Sequence, residues 1–96
     1  MAGKSVLHLT LHREFFDQIA LGTKKTEYRD TSDYWARRLD GRDYDEIIFR
    51  NGYGPKVPEM RVEFRGIRKR GNGRSGHYAI QLERILSIRR WRKPKE

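Results

Sequence analysis

Ninety-six residues with 22 Lys and Arg, 13 Asp and Glu and no cysteine describe one small, strongly basic domain with room for a single two-layer or barrel core. The missing cysteine excludes a disulfide framework, a thiolate nucleophile and sulfur-ligated zinc, without fixing a redox compartment. The formal charge of +9 is uneven, since residues 1–60 carry 10 basic and 10 acidic side chains while residues 61–96 carry 12 basic and 3 acidic. A field so one-sided attracts polyanions, nucleic acid above all, although a merely solvated basic surface has the same composition. No apolar run reaches the length of a membrane span or a signal-peptide core, so the expectation is a soluble cytoplasmic protein, monomeric and without a membrane partner.

In chain order, "SVLHLTL" (5–11) alternates Leu7, Leu9 and Leu11 against Val6, His8 and Thr10, which predicts a half-buried strand. "HREFFDQIALG" follows with Phe15, Phe16, Ile19 and Ala20 on one helical face and Gly22 as C-cap. "GTKKTEYRD" lacks helical periodicity and reads as a strand with Lys24, Thr26 and Tyr28 on one side and Lys25, Glu27 and Arg29 on the other. "DTSDYWARRLDG" offers Asp30, Thr31 and Ser32 as caps, a short aromatic helix through Leu39, and Asp40-Gly41 as its stop.

Beyond this the chain turns β-rich. "YDEIIFR" (44–50) and "EMRVEFRGI" (59–67) predict strands around the turn-rich "NGYGPKVP"; "RKRGNGRSG" predicts a basic hairpin loop, and "HYAIQLERILSI" a closing strand with Tyr78, Ile80 and Leu82 inward. The core therefore spans about 5–88, followed by a basic tail (89–96) that is expected to fray after Trp91. About five strands and two short helices make the class α+β, a small closed or nearly closed β-barrel with helices plugging one end, because closure removes exposed edges.

The chemistry is less plain. His8, His12 and His77 have no metal-ligand spacing, and "GNG" (71–73) precedes no helix, so neither a metal nor a cofactor is expected. What remains is the polar cluster of "GTKKTEYRD" with "YWARR" and "RNGYG". A lysine among other cations, as Lys24 near Lys25 and Arg29, is a candidate base or nucleophile if its site is desolvated, and Glu27 a candidate to orient it. Tyr34, Trp35 and Tyr53 offer planar surfaces for a base, with Arg29, Arg38, Arg50 and Asn51 placed to bind phosphate or a carbonyl oxygen. The same residues also suit a cross-strand ion-pair face above core aromatics.

The first strand, the helix ending "ALG", "GTKKTEYR" as a G-x-K-x-x-E-x-R motif, "DYWARRL", "YDEIIFRNGYG" and "YAIQLERI" together resemble the ASCH domain family, relatives of the PUA-like RNA-binding barrels, over about residues 5–88. The resemblance implies a β-barrel with a cleft lined by Gly22, Lys24, Glu27 and Arg29 that takes a modified nucleoside or RNA. Members of that family include RNA-binding modules, a ribonuclease type, and small amidohydrolases of N4-acylated cytidine that use a Lys, a Thr and a Glu. Here Lys24 matches the lysine, but Glu27 stands where the threonine is expected, with Thr23 and Thr26 nearby. The family glutamate belongs to an insertion between the last two strands that "RKRGNGRSG" is too short to contain.

An amidohydrolase built on this chain would then use Lys24 as base or nucleophile, Glu27 or Glu63 as its carboxylate partner, Thr26 or a water as attacking group, and Tyr53 or a backbone N–H for the oxyanion. A non-catalytic RNA-binding module, contacting phosphates through Arg68, Lys69 and Arg70, and a metal-independent ribonuclease are the alternatives.

Overall fold

The computed structural model describes residues 4–71 and 73–95. The alternating leucines form β1 (Val6–Thr10), followed by α1 (Arg13–Ala20), β2 (Thr26–Asp30), α2 (Asp33–Leu39), β3 (Glu46–Arg50), β4 (Glu59–Arg70), a 3-10 turn (Gly73–Ser75) and β5 (His77–Arg89). Together the strands make one sheet in the order β1-β3-β4-β5-β2, in which β1 lies parallel to β3 and the other pairs are antiparallel. β1 and β2 are its two edges, although they are consecutive strands in the sequence.

Register between β4 and β5 shifts at Arg61/Val62, Val62/Phe64 and Phe64/Gly66. Extra residues on one strand bend it and increase its twist. The two longest strands bend here, and the sheet curls into a half-barrel with two helices, a small α+β fold of the expected composition. Leu7, Leu9, Ile47, Phe49, Met60, Val62, Tyr78, Ile80 and Leu82 form one buried cluster with Leu11, with Phe16 and Ile19 of α1, and with Leu39 of α2. Both helices thus cover the face carrying the alternating apolar set, and α1 is held there by the two side chains of its buried stripe.

Three of the boundaries that differ from the sequence reading bear on the site or on the basic end of the chain. β2 starts at Thr26, two residues late, because Thr23 and Lys24 still bond back to α1. β4 runs on to Arg70, so Arg68, Lys69 and Arg70 are strand residues paired with Ala79, Tyr78 and His77 rather than loop residues; a basic strand end is stable where its side chains stay in water. After β5 the tail stays docked past Trp91: the Trp91 indole donates to Asp17 Oδ1 at 2.8 Å, and the Arg92 carbonyl accepts from Arg13 at 3.3 Å. Phe15, expected inward, is more than a third exposed.

Glu27 and Glu46 are the buried charged side chains among the described residues. Glu46 accepts from Lys4 at 2.6 Å and from Arg61 at 2.5 and 3.0 Å. These hydrogen bonds, Lys4 first and Arg61 second, hold its carboxyl below the usual range against the opposing effect of burial. A depressed carboxylate contributes stability that is present above its ordinary value of 4.5 and lost as pH falls through the folded value. Thermal unfolding followed by circular dichroism is therefore expected to show a steeper fall in Tm below about pH 4.5 for the native chain than for Glu46→Gln, with Glu46→Gln the less stable at pH 7. Phe16→Ala, which empties a fully buried position between α1 and the sheet, is expected to cost about 3–5 kcal/mol in urea titration.

Candidate functional site at the end of the first strand

Local backbone chemistry places Lys24. Gly22 takes φ +84°, and the N–H groups of Gly22 and Thr23 donate to the carbonyls of Ile19 and Gln18 at 3.0 and 2.9 Å. This is the paired closure that a glycine just past a helix end permits, since a side chain there would be strained. The Lys24 N–H then donates to the Gln18 carbonyl at 3.1 Å, so the lysine leaves from the end of α1 instead of from a strand.

Strict alternation along a strand would put Lys24 and Glu27 on opposite faces. The late start of β2 removes that constraint. Glu27 and Arg29 stand opposite Ile80 and Tyr78 of β5, both buried, so their side chains share the inner face. Lys24 curls in from outside the ladder to bring Nζ within 3.3 Å of Glu27 Oε1, while Arg29 binds Glu27 Oε2. Both carboxylate oxygens are thereby matched by a cation, as a carboxylate only 5% exposed requires.

Arg29 does more than neutralise. Its guanidinium donates to the Tyr28 carbonyl at 2.8 Å and to the Thr10 carbonyl at 3.1 Å, and lies 5.1 Å from the Trp35 ring centroid. Thr10 ends β1 and Arg29 belongs to β2, so this side chain straps the two edges of the half-barrel together. The Lys24 ammonium sits between two rings, 5.3 Å from the centroids of both Phe15 and Tyr28, in cation–π range.

Around Thr10 three open pockets meet. The largest, about 450 Å³, is lined by Thr10, Leu11, His12, Phe15 and the cluster of Lys24, Glu27, Tyr28 and Arg29. A second, of about 320 Å³, continues past Thr10, Leu11 and His12 to Arg13, Asn51, Gly52 and Tyr53. The third, about 300 Å³, lies across Arg29 and is walled by His8, Tyr34, Trp35 and Tyr53. Shared walls make them one cleft at the carboxyl end of β1. Its charged groups, Lys24, Arg29 and Arg13 against Glu27, leave an excess of positive charge beside aromatic surface, which favours electron-rich, planar or anionic ligands.

Of the residues singled out from the sequence, Lys24, Glu27, Arg29, Tyr34, Trp35, Asn51 and Tyr53 line this cleft. Asn51 Nδ2 donates to the Leu11 carbonyl at 2.9 Å and fixes the loop that carries the highly exposed Tyr53. Arg38 backs the cleft, its guanidinium stacked 3.6 Å from the Tyr34 ring centroid. Arg50 supports the same loop, donating to the Gly54 carbonyl and facing Glu59 at 3.7 Å. Thr26 and Glu63 do not join the cluster: Thr26 lines none of the three pockets, and Glu63 is ion-paired with Arg84 at 3.2 Å on β4. Arg68, Lys69 and Arg70 lie on the exposed end of β4. Lys24 has the Glu27 carboxylate as its charged partner.

Thr10, His12 and Phe15 went unassigned to the site in the sequence. The alternation of β1 marks Thr10 as outward at a strand end, and His12 follows it at the strand–helix junction, so both positions carried a signal. Among the described residues, no group of three or more His, Cys, Asp or Glu is arranged to hold a metal, and no helix is long and apolar enough to cross a membrane. Comparisons with protein-family models, with curated proteins and with solved structures gave no match for this chain.

Removing Arg29 leaves one Glu27 oxygen without its cation and opens the strap at once. Arg29→Met is expected to cost about 3 kcal/mol, the scale for breaking a buried pair from one side. Adding Glu27→Gln should recover part of that loss, and a double-mutant cycle in urea measures the coupling; additive losses would mean that the two side chains do not interact.

Proposed function

We propose that this chain is a small nucleoside-directed hydrolase of the ASCH type that cleaves the amide between an acyl group and N4 of a modified cytidine. The observation that carries the reading is the meeting of Lys24 and Glu27 in one pocket, which strand alternation alone forbids. Lys24, Glu27 and Arg29 beside the aromatic Phe15, Tyr28, Trp35 and Tyr34 give a planar base both stacking surface and hydrogen-bonding partners. The volume of about 450 Å³ lies in the range of small-molecule sites.

In this reading Glu27, with both oxygens occupied, positions the two cations and takes no part in the proton transfer. Lys24 donates a hydrogen bond to the acyl carbonyl oxygen and stabilises the negative charge that gathers there as a water oxygen adds to the acyl carbon. Collapse of that intermediate breaks the C–N bond, and the amino nitrogen of cytidine leaves with a proton. The products are cytidine and a carboxylic acid.

Incubation of the pure protein with N4-acetylcytidine, followed by chromatography, is expected to yield cytidine, and Lys24→Met to lower kcat by about 10²–10³-fold. Turnover by Lys24→Met equal to that of the native chain would remove Lys24 from the reaction.

A second reading, an RNA-binding module without catalysis, draws on the exposed Arg68, Lys69 and Arg70 and on Tyr34 and Tyr53 at the rim of the cleft. For single-stranded RNA, neutralising all three basic residues is expected to flatten the plot of log affinity against log salt by about 2 units. A slope unchanged by the triple substitution excludes these phosphate contacts, and RNA that stays intact on a gel excludes the ribonuclease variant.

A further inference from the structure

Amide hydrolysis needs a group to take the proton of the attacking water, and the obvious carboxylate is spent. Glu27 has Lys24 on one oxygen and Arg29 on the other. Thr26 and Glu63 lie outside the pocket. The remaining proton-transfer groups on its wall are Lys24, itself paired, the phenol of Tyr28 and the imidazole of His12.

His12 has the position and the freedom for the task. It occupies the N-cap of α1, yet its side chain makes no cap hydrogen bond; its backbone carbonyl takes that role, accepting from Phe15 and Phe16 at 3.1 and 3.0 Å. The imidazole is exposed, and its one ring neighbour among the described residues is Phe15, tilted at 6.4 Å. It lines both the Lys24 pocket and the neighbouring pocket of Asn51, Gly52 and Tyr53, so it stands on the boundary between the cationic cluster and a second chamber with room for water. Around it are Arg13 from α1, Lys24 from the turn after α1, Glu27, Tyr28 and Arg29 from β2, and Tyr53 from the loop after β3. Imidazole is also the side chain whose ordinary titration brackets neutral pH, where a general base is most effective.

We infer that His12 is the general base of the hydrolysis proposed above, and the inference rests on that reading. His12 takes a proton from a water held on the Asn51 side as the water oxygen bonds to the acyl carbon in the Lys24 pocket. The same imidazolium then returns the proton to the departing amino nitrogen as the C–N bond breaks, so no further reactant is consumed. Two sides of the cleft thus divide the work: Lys24 steadies the oxyanion and His12 moves the proton.

The test is the pH dependence of kcat/KM for N4-acetylcytidine between about pH 5 and 9, in the native chain and in His12→Gln. The expected native profile rises with pH, because the base must be unprotonated to accept. His12→Gln is expected to lose about 10²-fold or more in kcat, with little change in KM, and to lose that rise; added imidazole should restore part of the activity of His12→Ala. A His12→Gln enzyme with near-native rate and the same pH profile overturns the role of His12 while the hydrolase reading stands. A native chain that releases no cytidine overturns both. Because His12 is exposed, an unchanged thermal melt of each variant separates lost chemistry from lost fold.

Discussion

A carboxylate buried at the inner face of an edge strand must be neutralised where it lies, and the local architecture of this protein follows from how Glu27 meets that requirement. One cation comes from its own strand and the other from the turn that ends α1. Arg29 also reaches the Thr10 carbonyl on the opposite edge of the sheet, so the group that neutralises Glu27 is also the one that joins β1 to β2. The glycine closure at Gly22, which places Lys24, and the strap from Arg29 therefore meet at one side chain. The cleft exists because the half-barrel stays open between its two edges, bridged by side chains in place of a strand ladder.

Much of this was legible in the sequence. Alternation of Leu7, Leu9 and Leu11, and of Tyr78, Ile80 and Leu82, predicted the inward sets of β1 and β5, since burial of one sheet face leaves a period of two. Gly22 and Ser32 announced the end of one helix and the start of the next through the backbone groups they satisfy. Polar residues were harder to place. Arg68, Lys69 and Arg70 look like a loop because strand pairing is a backbone property that charged side chains neither require nor reveal. Strict alternation puts Thr26 and Lys24 on one face, yet only Lys24 enters the site, since a pair of hydrogen bonds to Gln18 shifts the start of β2. His12 pairs in the sequence only with His8, four residues away across the strand–helix junction, and a spacing unfit for a metal says nothing of the cleft it lines.

Charge is divided in space as well as along the chain. Three acidic residues of the first half hold the fold together: Glu46 with Lys4 and Arg61, Asp17 with Arg13 and Trp91, Glu27 with its two cations. Basic residues of the last third are left largely on the surface, along the far end of β4 and beyond β5. A basic surface raises the local concentration of anionic ligands only, whereas a compact polar cleft selects by shape and hydrogen bonding whatever the ligand's charge.

The proposed ligand position is the carboxyl end of β1, over Glu27. Titration of isotopically labelled protein with N4-acetylcytidine, followed by amide and side-chain NMR, tests that directly. Shifts are expected to concentrate on Thr10, Leu11, His12, Lys24, Tyr28 and Arg29, with the ends of β4 and β5 undisturbed. Shifts confined to Arg68, Lys69 and Arg70, or none at millimolar ligand, would contradict it.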